Sequence, residues 1–438
     1  MSMDKEYVAV IQAGGRGTRL TGLTKDRIPK PLLGLNGKPM IEWQIENLKK
    51  SGVKKIYIIC GYLGEMIQDY FGDGEKWGVN IDYIIETKPL GSAGALYYLK
   101  QKEIDDFILV FGDVMFDIDF EKAMAFHEKN KAILTLFVHP NNHPYDSDVI
   151  ILDDNNIVKS ILSKNDKRQE FYYNMVNAGI YIVSKDMLKY IDKAENTDLE
   201  KDLITKVIMT DRVYGYHTAE YMKDAGTVER FLKVEREQQE GIWKKRSSLC
   251  PQKAVFLDRD GTINKYNGLI CSPDQMELEE GAADAVKTIN ELGYLAIVVT
   301  NQPVVARGMC SIEDVNKIHR KLSTLLGNQG AYLDDIVFCP HHPDKGFPEE
   351  NKEYKIICNC RKPNIGMINL MADKYNIDLS NSYIVGDTTT DIKTGENAGM
   401  KTILVKTGQA GTDGKYDVNP DYVVNNILEA ALKIKDIG

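Results

Sequence analysis

Between residues 14 and 30 the chain sets Gly14, Gly15 and Gly17 beside five cations, Arg16, Arg19, Lys25, Arg27 and Lys30, opposed only by Asp26. Glycines let backbone amides approach an anion, so the segment reads as a polyphosphate cradle. No Gly-Lys-Ser/Thr follows, as a Walker A loop would need, and Leu20 replaces the last glycine of a dinucleotide fingerprint. A second constellation opens the other half. Asp258 and Asp260 lie two apart, directly after the apolar run Ala254 to Leu257 and before Gly261-Thr262. That pattern suits a pocket forming an aspartyl-phosphate. It lacks the alternating acids and the sixth-position glycine of a calcium loop. A third set, Cys339, His341, Cys358 and Cys360, offers three thiolates and one imidazole, which suit a closed tetrahedral zinc site; His342 is a competing ligand. The plain alternatives are a glycine turn, solvated loop acids and free thiols in a reducing compartment.

The elements that must position these groups follow from hydrophobic patterning. Apolar runs at Val8 to Ile11, Lys55 to Cys60, Ile81 to Ile85 and Phe107 to Phe111 alternate with amphipathic stretches at Met40 to Lys50 and Gly94 to Lys100. This alternation predicts a parallel sheet wrapped by helices. A strand-richer block (Ala132 to Val138, Val149 to Leu152, Ile180 to Val183) completes a mixed sheet. After the charged helical stretch 227 to 246 the alternation restarts at Ala254 to Leu257, Leu295 to Val299, Ile336 to Phe338, Tyr383 to Val385 and Thr402 to Val405. The fold class is therefore α/β, with two domains, 1–247 and 248–438.

Bulk properties narrow the partners. A chain of 438 residues with 43% hydrophobic and 27% charged residues can build two globular cores. A net charge of -9 argues against a nucleic-acid surface. No apolar run reaches the roughly 18 residues of a membrane helix. Met1 to Glu6 carry no apolar signal core. The seven cysteines read as cytoplasmic thiols plus a metal site, with Cys60, Cys250, Cys271 and Cys310 as free thiols.

The first half resembles the sugar-phosphate nucleotidyltransferases through most of 7 to 235. The resemblance is carried by the glycine loop with Pro29-Lys30-Pro31, Leu90-Gly91-Ser92-Ala93-Gly94-Ala95, Phe111-Gly112-Asp113, Asn177-Ala178-Gly179-Ile180-Tyr181 and Asp224-Ala225-Gly226-Thr227. It implies a Rossmann-like, GT-A-like mixed sheet in which a sugar 1-phosphate attacks the α-phosphorus of an NTP and pyrophosphate leaves. It puts Asp113 and Asp224 on Mg²⁺, Arg19 and Lys30 on the phosphates, and the nucleotide against Ala13, Gly14, Gly15, Gly17, Thr18, Glu86 and Gly91. Asn177 and Lys164 would meet the sugar phosphate. A carboxylate only accepts hydrogen bonds, so Glu86 suits the N1–H and N2–H of guanine, and GTP is the favoured donor with CTP or UTP as alternatives. The Glu-Lys pair usual in the family is here Ser163-Lys164, which leaves the sugar pocket without that carboxylate clamp.

The second half, about 253 to 436, resembles the haloacid-dehalogenase (HAD) phosphatases. The nucleophile loop is joined in order by Val299-Thr300-Asn301-Gln302, Arg361-Lys362-Pro363 and Gly386-Asp387-Thr388-Thr389-Thr390-Asp391. The resemblance implies a Rossmannoid domain without a large cap. Asp258 would be the nucleophile and Asp260 the general acid and base. Asp258, the Asp260 carbonyl and Asp387 would hold Mg²⁺, while Thr300, Asn301 and Lys362 would hold the phosphoryl oxygens. The Cys-x-His and Cys-x-Cys-Arg-Lys-Pro arrangement narrows the resemblance to the heptose 1,7-bisphosphate 7-phosphatases and the histidinol-phosphate phosphatases, with Arg361 on a distal phosphate and a structural zinc.

Together the halves imply a cytoplasmic bifunctional enzyme of nucleotide-heptose synthesis. Its partners would be a heptose bisphosphate, a heptose 1-phosphate and an NTP, with no nucleic acid or membrane; a homo-oligomer is compatible with the sequence. The rivals are another sugar phosphate or nucleotide, and a catalytically silent binding module.

Overall fold

The computed structural model describes residues 7–165, 167–168, 171–210 and 212–438. Met1 to Glu6, the stretch without an apolar signal core, lie outside the described residues. The chain divides into two compact units, one of Met1–Val138, Ile150–Ile161 and Asn177–Ser247, the other of His139–Val149, Leu162–Val176 and Ser248–Gly438. The two short early segments join the second unit because they pack on its helix Ile312–Gly327: the Tyr172 N–H donates to Thr324 Oγ1 at 3.1 Å.

In the first unit Tyr7–Ala13 is central, with Val53–Cys60 and Phe107–Phe111 parallel on either side. Val10 faces Tyr57 across one ladder and Leu109 across the other. These strands are apolar without alternation because both their faces are covered. Ala9, Ile11, Ile56, Ile58, Ile108 and Val110 pack with Ile41, Ile45 and Leu48 of the helix Met40–Lys50. Asn80–Ile85 extends one edge; Val176–Val183 adds antiparallel to Phe107–Phe111, making the sheet mixed. A separate two-stranded ribbon, Val114–Asp117 with Tyr221–Asp224, places Asp224 opposite Val114. Sequence reading did not resolve this ribbon, since four-residue strands are too short to show a period. It also expected an ordinary helix at Gly94 to Lys100, where the chain winds more tightly as a 3₁₀ helix, Gly94–Gln101. The charged stretch after 227 forms two helices, Val228–Gln239 and Ile242–Lys245, separated at Gly241.

The second unit is a six-stranded, all-parallel sheet in the order Asp335–Cys339, Leu295–Asn301, Ala254–Leu257, Tyr383–Gly386, Lys401–Val405, Tyr422–Val424. From Ala254–Leu257 the chain builds outward first to one side and then to the other. The carboxyl end of that strand is therefore the topological switch point, where such sheets open a crevice for ligands. Val255, Leu257, Ala296, Val298, Val385 and Ile403 form its buried centre against the helices Ala282–Glu291 and Ile427–Ile437. Among the described residues no helix is long and apolar enough to cross a membrane.

Candidate active sites

The first site begins where Tyr7–Ala13 ends, with Ala13 buried at the strand terminus. The Gly14 carbonyl accepts the Tyr62 N–H at 3.3 Å, and Glu86 closes on the same residue. A Cβ on Gly14 would stand 2.0 Å from Glu86 Oε2, so any side chain there would displace the Glu86 carboxylate. Glu86 is half-buried, its backbone N–H anchored on the Cys60 carbonyl at 2.8 Å. Burial pushes its carboxyl upward, opposed by a hydrogen bond from the Leu90 backbone. Its Oε1 is buried with no hydrogen-bond partner among the described residues. Such an acceptor is costly unless a donor arrives. The Gly91 carbonyl accepts Gln12 Nε2 at 3.1 Å, which ties the second glycine loop to the central strand. Arg16 lies over the Tyr62 ring, 5.4 Å from its centroid, and Thr18 opens a 3₁₀ turn that carries Arg19.

The short ribbon brings the two acids together. The Asp113 carbonyl accepts the Ala225 N–H at 2.7 Å. A Cβ placed on Gly226 would lie 2.7 Å from Asp224 Oδ1, 2.9 Å from Asp113 Oδ2 and 3.0 Å from an Arg19 terminal nitrogen, so all three side chains meet there. Lys30 pairs with Asp113 and Arg230 pairs with Asp224. The carboxylates of Asp113 and Asp224 match the hard-oxygen set that Mg²⁺ shares with phosphates, and Arg19, Arg230 and Lys30 stand beside them. Asn177 donates to Tyr181 Oη and to Glu200 Oε1, both at 2.6 Å. Glu200, absent from the sequence reading, is presented by Leu199–Ile204, whose first N–H donates to Ser92 Oγ at 2.7 Å. Lys164, in a segment of the second unit, lies 3.6 Å from the Asp146 carboxylate. The structure thus gathers Arg19, Lys30, Asp113 and Asp224, with Gly14 and Glu86 forming a second cluster.

The second site sits at the switch point. Asp258 follows Leu257, and its N–H donates to the Val385 carbonyl at 2.9 Å. Lys362 Nζ bridges Asp258 Oδ1 at 2.7 Å and Asp391 Oδ1 at 2.5 Å. Asp258, Asp387 and Asp391 bring carboxylate oxygens within 4.8 Å of one another, and all three residues are buried. Burial and the neighbouring Asp391 and Asp260 push the Asp258 carboxyl up to about 7 against the pull of Lys362. Burial, Asp258 and Asp391 push Asp387 up to about 8. One Asp387 oxygen accepts the Gln409 N–H at 2.7 Å, while Oδ1 is buried with no hydrogen-bond partner among the described residues. This excess of buried carboxylate over cation fits a divalent metal of hard-oxygen preference. Asp391 also caps the helix Thr389–Ala398 by accepting from Thr388, so its role as cap and as orienter of Lys362 coincide.

Asn301 Nδ2 donates to the Lys362 carbonyl at 3.1 Å and its Oδ1 accepts the Lys362 N–H at 3.0 Å, fastening the lysine loop to the strand end. Thr300 Oγ1 accepts from Gln302 Nε2 at 3.0 Å. Asp260 is held by Arg259, Gln302 and Asn264. Sequence reading passed over Arg259, Gln302 and His319; only His319, sixty residues from its partner, carried no motif signal at all.

Cys339, His341, Cys358 and Cys360 converge with donor atoms 3.1 to 3.6 Å apart, close to the edges of about 3.3–3.8 Å of a tetrahedron with zinc bonds of about 2.0–2.3 Å. His341 presents Nδ1, 3.2 Å from Cys360 Sγ. His342 is not in this set: its Nδ1 accepts the Asp344 N–H at 3.1 Å, and burial with nearby Arg361 lowers it to about 4. Arg361 donates to the His341 carbonyl at 3.1 Å, so the cluster pins the loop bearing Arg361 and Lys362.

Residues 8–241 match the family described as Nucleotidyl transferase, and residues 359–430 match the HAD-hydrolase-like family. The D-glycero-beta-D-manno-heptose-1,7-bisphosphate 7-phosphatase of Pasteurella multocida is 38% identical over 188 residues, covering 42% of this chain and 98% of that protein. The phosphatase of the same name from Escherichia coli strain K12 is 34% identical over 183 residues, covering 42% of this chain and 93% of that protein. A solved structure, HddC from Yersinia pseudotuberculosis, is 27% identical, covers 53% of this chain and 99% of its own, and has a TM-score of 0.46.

Proposed function

Because the chain belongs to the nucleotidyl transferase family through residues 8–241 and, through its C-terminal part, to the heptose-1,7-bisphosphate 7-phosphatases, we propose that it makes an NDP-heptose from a heptose bisphosphate in two steps. The phosphatase relatives leave a sugar 1-phosphate, which is the nucleophile a sugar nucleotidyl transferase uses. We assign the two activities to 1–247 and 248–438.

In the phosphatase, an Asp258 oxygen attacks the 7-phosphorus in line, the P–O7 bond breaks, and an aspartyl-phosphate forms. Asp260 gives its proton to the departing alkoxide, then takes one from the water that releases phosphate. Lys362, Thr300 and Asn301 hold the phosphoryl oxygens, and Arg361 meets the distal 1-phosphate. Mg²⁺ on Asp258, the Asp260 carbonyl and Asp387 would offset the repulsion between carboxylate and phosphate. The observation carrying this reading is the placement of Lys362 between Asp258 and Asp391 at the switch point. Cys339, His341, Cys358 and Cys360 would hold zinc in a structural role, since four protein ligands would leave no open position.

In the transferase, an oxygen of the sugar 1-phosphate attacks the α-phosphorus and pyrophosphate departs. Arg19 and Lys30 neutralise the phosphates, with Asp113 and Asp224 as Mg²⁺ ligands; the work is alignment and charge compensation. The unpartnered Glu86 Oε1 favours a base with adjacent donors, hence GTP. Asn177 and Lys164 are assigned to the sugar phosphate. A nucleoside triphosphate donor and cysteines without disulfides support a cytoplasmic assignment.

The test offers the full chain each anomer of heptose 1,7-bisphosphate with GTP, CTP, UTP or ATP and Mg²⁺. The phosphatase relatives carry the β anomer in their name, and the α anomer is offered beside it as the discriminating substrate. Phosphate without nucleotide, and GDP-heptose plus pyrophosphate with GTP, is the expected result. Another nucleotide or sugar preferred would move the substrate assignment; release of neither phosphate nor pyrophosphate would make this a silent module.

A further inference from the structure

Arg259 has no solvent exposure, and its guanidinium is spent on two partners. One edge forks onto the Asp260 carboxylate, with distances of 2.8 and 2.9 Å from the terminal nitrogen and 3.2 Å from Nε. The other terminal nitrogen meets His319 Nε2 at 3.1 Å. A guanidinium only donates, so Nε2 must accept, and His319 is the neutral tautomer with its proton on Nδ1. His319 is itself buried, on the helix Ile312–Gly327, with its ring edge-on to Phe338 at 5.3 Å. Two further groups finish the cradle: Gln302 Nε2 donates to Asp260 Oδ2 at 2.8 Å, and Asn264 Nδ2 to Oδ1 at 3.1 Å. Gln302 also touches Thr300 Oγ1, which couples the cradle to the strand end beside Asp258.

A buried guanidinium is costly unless fully paired. Here the pairing fixes both the position and the plane of one carboxylate. We propose that Arg259 and His319 are positioning residues for the phosphatase step, holding Asp260 where it meets the leaving oxygen. His319 acts by completing the hydrogen bonds of Arg259; neither residue touches the substrate. The proposal rests on the assignment of Asp260 as proton donor.

Leaving-group dependence separates positioning from mere folding. An alkoxide needs a proton as it departs; p-nitrophenolate does not. His319→Leu removes the acceptor for Arg259, whereas His319→Gln keeps one. With the full chain, His319→Leu should lower kcat on heptose 1,7-bisphosphate by about 10- to 100-fold, the scale of a misplaced general acid. The first-turnover burst of p-nitrophenol from p-nitrophenyl phosphate should stay near wild type, which also reports a folded site. His319→Gln should recover most of the lost kcat, and Arg259→Met should repeat the split between substrates. Equal losses on both substrates, or no loss on either, would overturn the proposal. Should wild type ignore the heptose bisphosphate, the heptose reading fails, and the same comparison runs on fructose 1,6-bisphosphate as the alkyl phosphate.

Discussion

Asp258 and Arg19 are single residues whose loss should divide the molecule's chemistry. Asp258→Asn keeps the volume and the Lys362 contact but removes the nucleophile. Phosphate release should fall by at least about 1,000-fold, as loss of a nucleophile does, while pyrophosphate formation from added heptose 1-phosphate continues. Arg19→Ala removes a cation aimed at the Asp113 and Asp224 cluster; pyrophosphate formation should fall about 100- to 1,000-fold, with phosphate release intact. Loss of both reactions in either variant would break the assignment. The acids also set a pH dependence. Asp258 and Asp387 bind protons more tightly folded than unfolded, with values raised to about 7 and about 8. Their contribution to the stability of the metal-free protein is full below the ordinary carboxylate range and is lost as pH rises through about 8. Mg²⁺ competes with those protons, so its increment in Tm should be larger at pH 8.5 than at pH 6; an increment that shrinks with pH would remove the metal from these acids. At this scale Asp258 and Asp387 were legible because each directly follows a short apolar strand run, and Lys362 because it follows the cysteine pair in Cys360-Arg361-Lys362-Pro363. Glu200 and His319 were not, because their roles exist only through contacts with Asn177 and Arg259 far away in the chain.

Elements explain why those motifs work. The continuous apolar runs around Tyr7–Ala13 and Ala254–Leu257 announce buried parallel strands, and glycine or acid immediately after each marks the carboxyl end where sites open. The ribbon Val114–Asp117 with Tyr221–Asp224 left no such mark, although it decides that Asp113 and Asp224 share one site; a pairing across more than a hundred residues has no local signature. The cysteine loop lies between these extremes. Its four candidate ligands were readable from spacing, and the structure adds what the loop holds: Arg361 on the His341 carbonyl, and Lys362 fastened by Asn301. Metal analysis should therefore return about one zinc per chain. Cys358→Ser, which weakens the set without emptying the core, should raise KM for the bisphosphate through Arg361 and lower kcat through Lys362, leaving guanylyl transfer unchanged. A zinc-free protein with full phosphatase activity would show that the loop holds itself.

At the scale of the whole molecule the question is whether the sugar 1-phosphate is handed over or released. Of the groups proposed for the transferase, Arg19, Lys30, Glu86, Asp113, Asn177 and Asp224 belong to the first unit and Lys164 to the second; those proposed for the phosphatase, Asp258, Asp260, Thr300, Asn301, Lys362 and Asp387, all belong to the second. No residue is proposed for both reactions, so each should run when the other site is dead. Asp258→Asn and Arg19→Ala chains, each unable to convert heptose 1,7-bisphosphate and GTP to GDP-heptose alone, should do so when mixed. The intermediate must then cross solvent, so the mixture should show a lag that shortens as the phosphatase-competent chain is increased and disappears when heptose 1-phosphate is supplied. Wild type at the same site concentration should show the same lag if the product is freely released. A mixture that stays inactive while each variant retains its own half-reaction would mean that transfer occurs only within one chain.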